Sequence, residues 1–255
     1  MTPKLPPAFL SVPLAHRALH DVTDGRPENS RAAVRAALEA GYGIEIDIQQ
    51  SSDAQAMVFH DYRLARLADA EGETIGFTAA ELAQKPLRGG EEGVPTLSEI
   101  LQLVDGRVPL LIEIKSHDKT LGPNVGALEE SVAKALESYR GLVALMSFNP
   151  HSSRRMAELC PDIPRGLVTQ YYDPQECGLS AEACAHLNEI ADYDEIGCSF
   201  ISHDWPDLGR PRVAELKAQG ADILCWTVKS PAEEAQARKI AQNITFEQYL
   251  APIPA

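Results

Sequence analysis

The order of secondary-structure signals restricts this chain more than any single motif. Short apolar runs rich in branched residues alternate with helical patterns along most of its length. The strand-like runs are VPLAHR (12–17), GIEIDIQ (43–49), VPLLIEIKS (108–116), LVALMSF (142–148), RGLVTQ (165–170), EIGCSFI (195–201), DILCWTV (222–228) and NITFE (243–247). Between them lie helical segments such as SRAAVRAALEAGY, TLSEILQLV, a long one over about 124–139, and PHSSRRMAELC. A strand followed by a helix and then another strand implies a right-handed parallel crossover. Eight such units favour a closed α/β architecture, the (β/α)8 TIM barrel, over an open sheet. The 255 residues suit one barrel domain spanning 1–255, and no linker or low-complexity tract interrupts it. After the second strand, AMVFHD adds an extended piece. Residues at about 62–95, polar and glycine-rich, then read as a small insertion outside the barrel core.

Composition narrows the function classes. A net charge of −14 and a pI near 4.9 oppose nucleic acid and anionic membrane surfaces, because the long-range force is repulsive. An anionic substrate therefore needs local positive charge or a metal. The five cysteines are scattered and form no CxxC pair, so they read as ordinary thiols. No apolar run reaches the ~18 residues that would span a bilayer. The N-terminal stretch lacks a secretory pattern, and a cytoplasmic protein without stable membrane insertion is expected.

Within that frame two strands stand out. In GIEIDIQ, Ile44, Ile46 and Ile48 alternate with Glu45 and Asp47, so the acids share one face. In LLIEIKS, Glu113 and Lys115 share a face opposite Ile112 and Ile114. A barrel turns one strand face inward, and three buried carboxylates require counter-charge. One divalent ion on oxygen ligands, Mg2+ or Ca2+ rather than zinc, would supply it. Lys115 and Arg17 could neutralise the acids instead. His16 and His60 end strand-like runs near these charges, a placement suited to general acid–base work near neutral pH. Arg17 matches a pair of phosphate oxygens in shape, and Lys115 adds a point charge. These residues together point to phosphoryl-centred hydrolysis.

The motifs His16-Arg17, Pro27-Glu28-Asn29-Ser30, Glu45-Ile46-Asp47, His60-Asp61, Pro95-Thr96-Leu97-Ser98-Glu99, Glu113-Ile114-Lys115 and Trp226-Thr227-Val228 occur in this order over about 12–247. In this the chain resembles the glycerophosphodiester phosphodiesterase family, whose barrel is similar to that of the phosphatidylinositol phosphodiesterases. The resemblance implies metal ligation by Glu45, Asp47 and Glu113, acid–base roles for His16 and His60, and phosphate contacts from Arg17 and Lys115. It also implies a small-molecule substrate, a glycerophosphodiester cleaved to glycerol 3-phosphate and an alcohol, with a glycerol hydroxyl attacking phosphorus first.

Several features depart from the family pattern or admit two readings. Ala18 stands where the family commonly has glycine, and the nine residues 18–26 make a long loop at the expected site mouth. NITFE lacks the Thr-Asp ending that many members show. Glu28 and Asn29 either touch the site or cap the following helix. Trp226 and Phe148 either line the pocket or pack the core, and Trp205 is a rim candidate. His20, His117, His151, His186 and His203 read as surface or structural. A lysophospholipase D-like activity and a non-catalytic phosphate-binding barrel are the alternative functions. Nothing in the sequence marks an oligomer interface.

Overall fold

A computed structural model of the chain describes residues 2–117 and 120–254. Nine strands occur among them: β1 (Leu14–Ala15), β2 (Gly43–Gln50), β3 (Ala56–Val58), β4 (Leu110–Ile114), β5 (Val143–Ser147), β6 (Arg165–Thr169), β7 (Phe200–Asp204), β8 (Asp222–Val228) and β9 (Asn243–Phe246). All neighbours pair in parallel except β3, which runs antiparallel to the end of β2. Because β1 pairs with both β9 and β2, the eight parallel strands close on themselves. This is the (β/α)8 barrel that the alternation predicts, and closure leaves its parallel strands without an open edge.

The two strand faces have different cores. Ile44, Ile46, Ile48, Ile112, Ile114, Ile201, Ile223 and Ile244 face the surrounding helices in one large cluster. Leu14, Leu111, Ala144, Met146, Val168, Phe200 and Leu224 fill the barrel interior. Gly166 makes room there: a Cβ on it would lie 2.5 Å from the Phe200 ring. The N-terminal segment, which carries no strand or long helical pattern, forms a short helix (Ala8–Ser11) that sets the fully buried Phe9 beside these residues. Asn243, at the start of β9, donates from Nδ2 to the carbonyls of Phe9 (2.8 Å) and Val12 (2.6 Å). A plug therefore closes the end of the barrel where its strands begin.

Three element boundaries differ from the sequence expectation. Only Leu14–Ala15 of VPLAHR is strand, because Arg17 and Ala18 turn into the left-handed region at φ 52° and 63°. The long helix is Ala127–Leu136. The sixth barrel strand lies later than EIGCSFI: Tyr193–Ile196 is a helical turn ended by Gly197 at φ 67°, and FISHD forms β7. The polar Ser202, His203 and Asp204 disguise that strand. The insertion packs on its own apolar cluster of Met57, Phe59, Leu64, Ala68, Leu82, Leu87 and Val94, held by isolated antiparallel bridges such as Arg63 with Glu73.

Phe9→Ala should remove the plug and cost about 3–5 kcal/mol of unfolding free energy in urea titrations. Turnover per folded molecule should be kept, since Phe9 sits at the far end of the barrel from the chemistry described next.

Candidate active site

Parallel strands deliver their C-terminal ends to one rim, and the chain places its charged residues there. Glu45 and Asp47 project inward from β2, and Glu113 on β4 lies directly beside Asp47 in the strand register. All three are buried, and their oxygens lie within 4.8 Å of one another. His16 and Arg17 follow β1, His60 follows β3, Lys115 follows β4, Phe148 follows β5, and Trp226 lies near the end of β8. These nine residues, the complete set expected from the sequence, line one cavity of about 80 Å3 with Met146, Val168, Thr227 and Thr245. A larger groove of about 1060 Å3 runs between the outer helices Leu97–Val104 and Ala127–Leu136, away from all of them. Of the two, the small cavity is the one lined by the buried Glu45, Asp47 and Glu113.

Asp47 is the best-compensated acid. It receives Lys115 Nζ at 2.8 Å, Arg17 Nε at 3.5 Å and Asn29 Nδ2 at 2.9 Å. Burial pushes its carboxyl up, but Lys115, His60 and Arg17 outweigh that and hold it far below the usual range. Glu45 has less help: burial, then Asp47 and Glu113, drive its carboxyl well up against a 2.9 Å hydrogen bond from the Arg17 backbone N–H and the charge of Lys115. Glu113 is raised as well, chiefly by burial, although Lys115 touches it. Two cations thus fail to satisfy three buried acids. An oxygen-only donor set that is short of positive charge suits a hard divalent ion.

Each histidine is tethered at Nδ1. His16 contacts Glu247 Oε2 at 2.6 Å and His60 contacts Asp61 Oδ1 at 2.6 Å. A carboxylate accepting from Nδ1–H leaves Nε2 as the ring's acceptor. Burial lowers both histidines from their ordinary value, so the neutral form persists to a lower pH than for an exposed ring. Asp61 is drawn down to about 2, with its hydrogen bonds from Arg66 and His60 overcoming burial. Arg66, from the insertion, donates to both Asp61 oxygens (2.6 and 2.7 Å) and to both Glu28 oxygens (3.1 Å each). Glu28 in turn holds Arg17 Nη1 at 2.6 Å. One polar chain therefore joins His60 to Arg17 through the insertion.

The two-sided candidates resolve in part. Ser30 caps the helix Arg31–Ala40, while Asn29 hydrogen-bonds Asp47 through both its amide and its carbonyl oxygen. Trp226 donates from Nε1 to the Ser202 carbonyl at 3.0 Å and stacks edge-on with Phe148, so both pack and line the cavity. Trp205 follows the end of β7 in a short turn and packs, partly buried, against the apolar cluster beneath the helices. His203 is fully buried between Thr169 and Asp207. Sequence reading missed Glu247 and Arg66. Glu247 carried a usable signal, since it ends the last strand-like run; Arg66 carried none within a polar insertion. Ala18 adopts the left-handed backbone for which glycine is the easy residue, and its N–H donates to the Glu45 carbonyl at 3.0 Å.

Because Glu45 and Glu113 hold protons more tightly than free carboxyls, a divalent ion must displace them. Calorimetric titration of Mg2+ or Ca2+ into metal-free protein should therefore release protons, most at mildly acidic pH, and the heat should change with buffer ionisation enthalpy. Buffer-independent heat would remove the assignment of raised carboxyls.

A model of the glycerophosphoryl diester phosphodiesterase family matches residues 16–244. A glycerophosphodiester phosphodiesterase of Caldanaerobacter subterraneus subsp. tengcongensis is 35% identical over 214 residues, covering 79% of this chain and 80% of its own. YhdW of Bacillus subtilis (strain 168) is 29% identical over 246 residues, 92% of this chain and 93% of its own. Among solved structures, an Oleispira antarctica phosphodiesterase in complex with the product sn-glycerol-3-phosphate shares the fold at a TM-score of 0.76 and 22% identity, covering 93% of this chain and 94% of that one. On the extent of these matches, the chain belongs to the glycerophosphoryl diester phosphodiesterase family.

Proposed function

We propose that this barrel hydrolyses glycerophosphodiesters to glycerol 3-phosphate and an alcohol, using one divalent ion, Mg2+ or Ca2+, held by Glu45, Asp47 and Glu113. The observation that carries the reading is the facing of three under-compensated buried carboxylates and two carboxylate-tethered histidines across one cavity. The product bound to the Oleispira antarctica relative is of the same chemical class. When bound, such an ion offsets negative charge gathering on the phosphate as the bond order at phosphorus changes.

The chain's own residues do the rest. Arg17 and Lys115 leave their acid partners in part to meet the phosphate oxygens, Arg17 held at the proper angle by Glu28. One histidine, neutral, accepts the proton of the attacking glycerol hydroxyl at Nε2; the other, entering as the imidazolium, gives its Nε2 proton to the departing alkoxide. Water then opens the cyclic phosphate with these roles exchanged. Glu247 and Asp61 keep both rings oriented and stabilise each as it becomes cationic. Trp226 and Phe148 wall the cavity against the glycerol or headgroup carbons. The single-domain reading of 1–255 places the insertion inside this machinery through Arg66. No described helix is long and apolar enough to cross a membrane, and a cytoplasmic setting with a small soluble substrate belongs to the same reading.

Glycerophosphocholine or glycerophosphoethanolamine should be cleaved, and chelation should stop turnover until Mg2+ or Ca2+ is restored; full activity in metal-stripped protein would refute the metal. His16→Ala and His60→Ala should each lower kcat by about 10²–10⁴-fold with folding unchanged. Near-wild-type rates in both would remove the acid–base assignment, whereas absence of turnover in the metal-loaded wild-type protein would leave a barrel that only binds phosphate esters. Glu247→Gln should reduce kcat by about 10–100-fold and shift the pH profile, with KM little changed.

A further inference from the structure

A second group of ligating atoms lies behind the cavity. His16, His20 and Glu247 each offer one atom, all within 4.8 Å of one another. Glu247 Oε2 is 2.6 Å from His16 Nδ1 and 3.5 Å from His20 Nε2. His20 Nε2 is itself buried and lacks a hydrogen-bond partner. A tetrahedral zinc ion with bonds of ~2.0–2.1 Å holds its ligands about 3.3 Å apart, close to the His20–Glu247 separation. Glu247 Oε1 also receives Lys229 Nζ at 3.1 Å, whose side chain is half exposed, and Gln248 Nε2 at 3.4 Å.

We propose that His16, His20 and Glu247 form a second cation site for a late first-row divalent ion such as zinc, and that filling it arrests the enzyme. Two imidazoles and one carboxylate select zinc-like ions, whereas the all-oxygen set of Glu45, Asp47 and Glu113 selects Mg2+ or Ca2+. The two sites therefore sort cations by donor chemistry. Coordination at His16 Nδ1 moves the ring proton to Nε2, through solvent, with no net change in charge on the ring. The lone pair that would accept the substrate proton is then lost. This arrest rests on the acid–base role proposed for His16; the binding itself does not.

The test uses the full-length protein saturated with Mg2+, titrated with Zn2+ and, for its visible spectrum, with Co2+. Metal analysis after dialysis should show zinc gained with magnesium retained, cobalt should give the absorption of a low-coordinate nitrogen–oxygen site, and turnover should fall in step. His20→Gln should weaken zinc uptake by about tenfold or more while Mg2+-supported turnover persists. Zinc that enters only as magnesium leaves, or inhibition unaltered in His20→Gln, would overturn the proposal. Uptake that depends on His20 but leaves turnover intact would keep the site and remove the catalytic role of His16.

Discussion

Everything at the catalytic rim depends on the burial of Glu45, Asp47 and Glu113 inside a closed barrel. Three carboxylates in that setting repel one another at low dielectric, and the fold tolerates them only because Lys115, Arg17 and Asn29 converge on Asp47. The compensation is unequal. Asp47 is ionised and held from three sides, whereas Glu45 and Glu113 are pushed toward their neutral forms. The imbalance leaves buried negative charge in excess, and isoleucines on the outer faces of β2 and β4 anchor both strands against the helices.

The insertion does more than decorate the barrel. Its apolar cluster fixes Arg66 in place, and Arg66 locks Asp61 and Glu28 together. His60 and Arg17, 43 residues apart in the chain, are thereby oriented by one guanidinium. The fork geometry of arginine suits this task, since two carboxylates can be bridged by one planar group. Glu247, at the end of the neighbouring strand β9, performs the matching service for His16 and is shared with His20 and Lys229.

The legible part of the protein was the part written in periodicities. Alternation placed Ile44, Ile46 and Ile48 on one face and Glu45 and Asp47 on the other, and the order of strands and helices closed the barrel. The strand in this region was legible but not its extent, because its later positions are Ser202, His203 and Asp204, residues that in most contexts meet solvent. Phe9 escaped because a four-residue helix has no period to detect. Arg66 escaped because its partners are 5 and 38 residues away in the chain, and nothing local distinguishes it from a solvated arginine.

By itself the sequence determined which residue types stand at the ends of which strands, because side-chain alternation and strand order are local properties of the chain. Only the tertiary structure decided how those residues share charge. Whether Asn29 caps a helix or binds Asp47, and which carboxylate holds which histidine, follow from distances across the barrel. Those distances are set by ring closure, β1 meeting β9 as well as β2, and no local pattern encodes them.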